Sequence, residues 1–186
     1  SIAYLAGRPA LLAGRRLRNA LGANGWNAGG WKYRLIHRVR SLGLLGLADG
    51  VKLGVARLLT RRRNAHFRRR HPDFAVPPAD LAFDAYNSID WQHYHDGGRR
   101  HAAVFAALIA QHSTVAKPRV LEWGCGPGRL IRNMAEFLGE HAGALTGTDY
   151  NPRTIAWCRA NLPGIAFTEN ALMPPLPFAD ASFDAV

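Results

Sequence analysis

In the stretch VLEWGCGPGRL, residues 120–130, an apolar run ends in Glu122 and is followed by Gly124, Gly126 and Gly128 at alternate positions. Glycine lacks Cβ, so such a turn lets a ligand lie directly against backbone. The acid narrows the ligand. A dinucleotide fingerprint needs G-x-G-x-x-G and aims a helix N-terminus at a pyrophosphate, whereas here the spacing is G-x-G-x-G, position 129 is Arg129, and Glu122 would repel two phosphates. A ligand carrying a cation would be attracted instead. Cys125, between the first two glycines, is expected to be a small packing residue, because no paired base stands near it to activate a thiol.

A second concentration of reactive side chains is WQHYHDGGRRH at 91–101, with His93, His95, Asp96 and His101. No spacing there matches a ligand framework, so no metal site is assigned.

The elements around the glycines alternate. RVLEW reads as a buried strand, and Leu130, Ile131, Met134, Phe137 and Leu138 make one apolar helical face stopped by Gly139. ALTGTD is a second strand. Asn151 is placed as an N-cap with Pro152 at the first helical position, where its missing N–H costs nothing, and that helix ends near 162–164. IAFTE is a third strand, a proline-rich loop follows, and FDAV begins a fourth. Strand and helix in alternation predict an α/β fold, a Rossmann-like doubly wound parallel sheet with ligands at the carboxyl ends of its strands. Upstream, a helix fits 99–112 with Val104, Phe105, Leu108 and Ile109 on one face. Trp123 is expected in the core.

Charge divides the chain. Residues 1–100 hold 18 Lys and Arg against 6 Asp and Glu, and residues 101–186 hold 6 against 7. The basic stretches lie within 14–72 and include TRRRNAHFRRRHP at 60–72. Such arginines can contact nucleic acid or an anionic membrane surface, although a solvated basic face is the reading the composition favours. Trp31, Leu35, Ile36, Val39 and Leu42 predict a basic amphipathic helix over 31–47, weakened towards its end by Gly43 and Gly46. HPDFAVPPAD at 71–80 has three prolines and no period, so it reads as a linker. The expected organisation is a basic, mainly helical N-terminal segment and linker over 1–80 and a cofactor-binding domain over 81–186. The early apolar stretch SLGLLGLADGVKLGVARLL is interrupted by Asp49, Lys52 and Arg57 and is not a transmembrane segment. Two cysteines give no disulfide framework, which favours a reducing, cytoplasmic setting. With Ser1 first and Val186 inside an opening strand, the chain reads as a fragment at both ends, holding only the first three to four strands of its sheet.

VLEWGCGPGRL resembles motif I of the class I S-adenosylmethionine-dependent methyltransferases, and GTDYNP with NALMPPLPFADASFDAV looks like that family's next two motifs at fitting distances. The resemblance covers about residues 100–186. It implies S-adenosyl-L-methionine as cofactor, whose ammonium and sulfonium supply the cation. By similarity, Glu122 and the backbone of Gly124, Cys125, Gly126 and Gly128 would hold the methionyl end. Asp149 would accept both ribose hydroxyls, Tyr150 would cover the adenine, and Asn170 with Ala171 would meet the adenine edge, Asn170 standing where an aspartate is frequent. Tyr94, Gly97 and Gly98 are candidates for a lid or the acceptor site. The implied activity is methyl transfer by in-line displacement, in which the protein contributes alignment and needs no catalytic base, so no catalytic residue is assigned. The acceptor is expected to be a small molecule or a lipid or glycan. The alternatives are an RNA methyltransferase that uses the Arg-rich half, and a non-catalytic Arg-rich binding module on a cofactor-binding fold. Three to four strands of a seven-stranded sheet are expected to be inactive alone.

Overall fold

The computed structural model describes residues 45–186. The helix expected over 31–47 lies outside them apart from its last three residues, as do the basic stretches before Leu45.

The first described element, α1 (Leu45–Arg70), is a helix of 26 residues. It passes through Gly46, Gly50 and Gly54, so the glycines do not stop it; the run is free of proline until Pro72. Its stability comes from one stripe. Leu53, Ala56, Thr60, Asn64 and Phe67 recur every three or four residues and are buried or partly buried, and apolar packing of such a stripe outweighs propensity. Asn64 adds a polar lock: its Nδ2 donates to the Ile89 carbonyl at 2.7 Å and its Oδ1 accepts from Trp91 N at 3.0 Å.

Two further helices follow, α2 (Ala79–Tyr86) and α3 (Trp91–His112). Asn87 closes α2 in the left-handed conformation at φ 50°, and the Asp90 side chain caps α3 by accepting from His93 N. The stretch before residue 99 therefore already belongs to the helix. A different face of α3 is buried from the one expected. Val104, Phe105 and Leu108 are exposed, at 58, 49 and 45%, and of the expected face Ile109 alone packs partly against the core, while Trp91, Tyr94, Gly98, Ala102 and Ala106 are buried. The reason is close approach: a Cβ on Gly98 would stand 2.2 Å from the Arg129 carbonyl oxygen. Small residues face the neighbour, and the larger apolar ones turn away.

Residues 71–80 are a packed loop up to Pro78, after which α2 begins. Phe74 meets Phe67 edge-on at 5.5 Å, and the Arg132 guanidinium lies 3.9 Å from the Phe74 ring centroid while donating to the Ala75 carbonyl. The compact unit that holds these helices and the sheet begins at Leu53, within α1.

The unit from Leu53 onward contains the sheet: β1 (Val120–Trp123), β2 (Leu145–Asp149) and β3 (Ala166–Glu169), all parallel in the order β1-β2-β3. Between them run α4 (Ile131–Leu138) and α5 (Pro152–Asn161). Asn151 caps α5 as expected, accepting from Arg153 N and Thr154 N, with Pro152 opening the helix. Ile131, Met134 and Leu138 of α4 join Ile155, Cys158 and Phe167 in the core. β2 is buried throughout, and Gly147 is needed there because a Cβ would stand 2.7 Å from the Phe167 ring.

The expected fourth strand is present as a single parallel bridge, Val120 to Ala185, on the side of β1 away from β2. Leu121 N donates to the Ala185 carbonyl at 2.9 Å, and Arg119 pairs with Asp184. The winding direction therefore reverses at β1. In open parallel sheets such a reversal opens a crevice at the carboxyl ends of the strands, and the three glycines lie at the carboxyl end of β1. The described part of the unit is the expected Rossmann-like α/β arrangement.

Candidate functional site

β1 ends at Trp123, and the chain turns through Gly124, Gly126 and Gly128 at φ +72°, +51° and +70°. The turn is held to β2 by its own amides. Gly124 N and Cys125 N both donate to the Thr148 carbonyl, at 2.8 and 2.9 Å, and Gly126 N donates to Asp149 Oδ2 at 3.0 Å. At Gly124 the left-handed backbone is combined with open space, for no atom lies within 4 Å of where its Cβ would be. At Gly126 and Gly128 a Cβ would instead meet Tyr86 and Leu162. Of the three glycines, Gly124 is the one whose missing side chain leaves room for a ligand.

Two carboxylates hold the two ends of the turn, one from the end of β1 and one from the end of β2. Glu122 Oε2 accepts from Ile131 N, at the start of α4, at 2.9 Å. Burial pushes the Glu122 carboxyl up to about 8, against the opposing pull of the Ile131 amide and Arg129 and with Asp149 adding to the rise. An acid in this state gains most from a nearby cation. Asp149 is buried, its Oδ2 on Gly126 N and its Oδ1 on Asn151 N at 2.9 Å. A carboxylate has about four acceptor positions, so roughly two remain for hydroxyl donors. Asp149 thus also ties the glycine turn to the start of α5, a role its place in the sequence did not reveal. Tyr150, beside it, is 53% exposed and open to stacking.

The end of β3 is less open than expected. Asn170 is buried, its Oδ1 lies 2.9 Å from Thr148 Oγ1, and its Nδ2 donates to the Ala171 carbonyl at 2.7 Å. Its amide oxygen is therefore already engaged with β2, while Ala171 is exposed. Trp123 is 62% exposed, contrary to the expectation of a core residue; it is the last residue of β1, beyond the reach of the helices that cover the strand.

Tyr94, Gly97 and Gly98 brace the glycine turn from behind. Tyr94 is buried and its hydroxyl donates to the Pro127 carbonyl at 2.7 Å, while Gly97 and Gly98 admit Arg129 against α3. Tyr86, which sequence reasoning missed, does the same for the middle of the turn: its hydroxyl donates to the Cys125 carbonyl at 3.2 Å, and the Arg129 guanidinium lies 4.5 Å from its ring centroid. Burial raises both phenols well above their usual range, so both remain neutral donors. The only signal was the aromatic content of FDAYNSIDWQHYHDGG, which has no period to place it. Cys125 is fully buried and its thiol is pushed up, by its contact with Cys158 and then by burial, as fits a packing residue. Among the described residues, no cluster of His, Cys, Asp and Glu could hold a metal ion, and His95 instead pairs with Asp96 at 2.8 Å.

Residues 120–186 match the family model described as a methyltransferase domain. Over this segment the chain is similar to methyltransferase domains, which agrees with the parallel sheet and the glycine turn. The chain is 42% identical over 90 residues to the biotin biosynthesis bifunctional protein BioCD of Bordetella avium (strain 197N), a match covering 47% of this chain and 18% of that protein. It is 35% identical over 80 residues to the trans-aconitate 2-methyltransferase of Methylobacterium nodulans (strain LMG 21967 / CNCM I-2342 / ORS 2060), covering 42% of this chain and 30% of that one. The chain thus spans less than a third of the length of either curated relative. Among solved structures, the plantazolicin methyltransferase BpumL in complex with a monoazolic desmethylPZN analog and SAH aligns with a TM-score of 0.41 at 15% identity, over 74% of this chain and 48% of that one.

Proposed function

We propose that this protein binds S-adenosylmethionine at the carboxyl ends of β1 and β2 and transfers its methyl group to a small-molecule, lipid or glycan acceptor. The observation that carries this reading is the open space at Gly124 in a turn whose ends are held by a partly buried acid and by a second carboxylate with acceptor positions left. Glu122 would face the ammonium, Asp149 the ribose hydroxyls and Tyr150 the adenine. The trans-aconitate enzyme, by its name, methylates a small acid, which supports a small acceptor here.

When bound, the cofactor would supply a methyl group on sulfonium for displacement by the acceptor's lone pair, the bonding pair leaving on a neutral thioether, and Glu122, the glycine turn and Asp149 would hold it. What the chain does is hold and align. Six amide and hydroxyl donors fix the glycine turn: Gly124 N, Cys125 N and Gly126 N from within, Gly128 N across it, and Tyr86 and Tyr94 from behind. Orientation of this kind is worth roughly 7–11 kcal/mol in favourable cases.

Calorimetry on the full chain with S-adenosylmethionine, S-adenosylhomocysteine and NAD tests the reading. Binding of the first two is expected; preference for NAD would overturn it.

A further inference from the structure

Among the described residues, the outer side of α1 takes no part in the core or in the site. The helix is bound to the rest of its unit by the stripe of Leu53, Ala56, Thr60, Asn64 and Phe67, with Asn64 locked to Ile89 and Trp91 and Arg63 paired with Asp90 at 3.0 Å. At about 3.6 residues per turn, the opposite side is followed by Val55, Leu58, Leu59, Arg62, His66 and Arg69. All are exposed, with Leu58 at 72% and Leu59 at 70%. Arg61, Arg68 and Arg70 flank this stripe and are exposed as well.

We propose that this side of α1 docks on an anionic lipid surface, with Val55, Leu58 and Leu59 entering the acyl boundary and Arg61, Arg62 and Arg69 meeting headgroup phosphates. Two features select this partner. Adjacent exposed leucines beside arginines, on a helix that is not apolar enough to cross a bilayer, are the pattern of a helix lying in the interface plane. A nucleic-acid duplex would use the arginines and leave the leucines in water. The charge is complementary to such a surface. Residues 45–70 hold eight Lys and Arg against Asp49 alone, and residues 1–44 hold a further eight with no Asp or Glu, so the preceding segment brings no counter-charge.

The test is co-sedimentation of the full chain with vesicles of phosphatidylcholine alone and with 30% phosphatidylglycerol added. Binding to the anionic vesicles only is expected, weakening as salt rises. Each arginine near such a surface contributes on the order of five-fold in partitioning, so a variant combining Arg61→Gln, Arg62→Gln and Arg69→Gln should bind roughly a hundred-fold more weakly. Leu58→Ser with Leu59→Ser should lose at least ten-fold. Both variants change exposed side chains only, and unaltered thermal unfolding will show that they fold. Equal binding to neutral vesicles, no binding to either, or arginine-dependent binding that the leucine changes leave untouched and an RNA duplex competes away would each overturn the proposal.

Discussion

Glu122→Gln separates the charge of the acid at the end of β1 from its shape. The glutamine oxygen can still accept from Ile131 N, so the start of α4 keeps its partner, while the negative charge is gone. In the ligand-free protein the carboxyl sits at about 8 against an ordinary 4.5, a displacement of roughly 5 kcal/mol at about 1.4 kcal/mol per unit. That figure is an upper bound, because the side chain keeps some contact with water. The direction for stability follows. Between pH 4.5 and 8 the folded state holds a proton that the unfolded chain has released, so stability present at low pH is lost as pH rises through about 8. The ligand-free protein should therefore melt lower at pH 8 than at pH 5.5, and the glutamine variant should lose part of that difference. For a cationic ligand the sign is opposite. Only the ionised acid attracts it, and about one molecule in ten is ionised at pH 7 when the value is about 8. Affinity for S-adenosylmethionine should rise close to ten-fold per unit between about pH 5.5 and 6.5, below the range where an α-amino group loses its own proton. Titration calorimetry in buffers of different ionisation enthalpy should count about one proton released near pH 6.5. In Glu122→Gln the slope and the proton should vanish, and adenosine, which lacks the methionyl group, should show neither in either protein. A flat profile for S-adenosylmethionine in the unsubstituted protein, or the same slope for adenosine, would refute the role given to Glu122.

Gly124→Ala places a Cβ in open space at φ +72°; thermal unfolding should show a cost of about 1–2 kcal/mol for the left-handed backbone, and calorimetry a larger loss of S-adenosylmethionine affinity. Asp149→Asn turns a carboxylate that accepts from Gly126 N and Asn151 N into a group that must point an amide at one of them. Affinity for both S-adenosylmethionine and adenosine should drop by roughly 1.5–3 kcal/mol, unlike the selective effect at Glu122, and unchanged adenosine binding would remove Asp149 from the ribose. Gly98→Ala would bring a Cβ to 2.2 Å from the Arg129 carbonyl, so α3 must shift, with about 1–3 kcal/mol lost in denaturant unfolding. Tyr94→Phe removes the hydroxyl donated to Pro127, which should cost about 1 kcal/mol of stability and, by loosening the turn, lower ligand affinity without touching the ligand.

The parts of this protein that were legible in its sequence are those decided by neighbours along the chain. Gly124, Gly126 and Gly128 could be read as a turn because only glycine takes left-handed backbone without cost, and Asn151 with Pro152 marked a helix start because capping is a matter of three or four consecutive residues. The strands ending at Glu122–Trp123, Asp149 and Glu169 showed as short apolar runs between those signals. What the sequence did not determine was which surfaces meet. Val104, Phe105 and Leu108 have the same helical spacing as a core face, yet they lie outside, because Gly98 lets α3 close on the Arg129 backbone and thereby sets the rotation of the whole helix. Trp123 is as apolar as a core residue but falls one position past the covered part of β1. Tyr86 and Tyr94 reach carbonyls 39 and 33 residues away, and Asp149 divides its oxygens between a turn 23 residues back and its own helix start. No local pattern encodes such pairings. They exist only once the parallel sheet has brought the ends of β1 and β2 side by side, with α2 and α3 packed behind the turn.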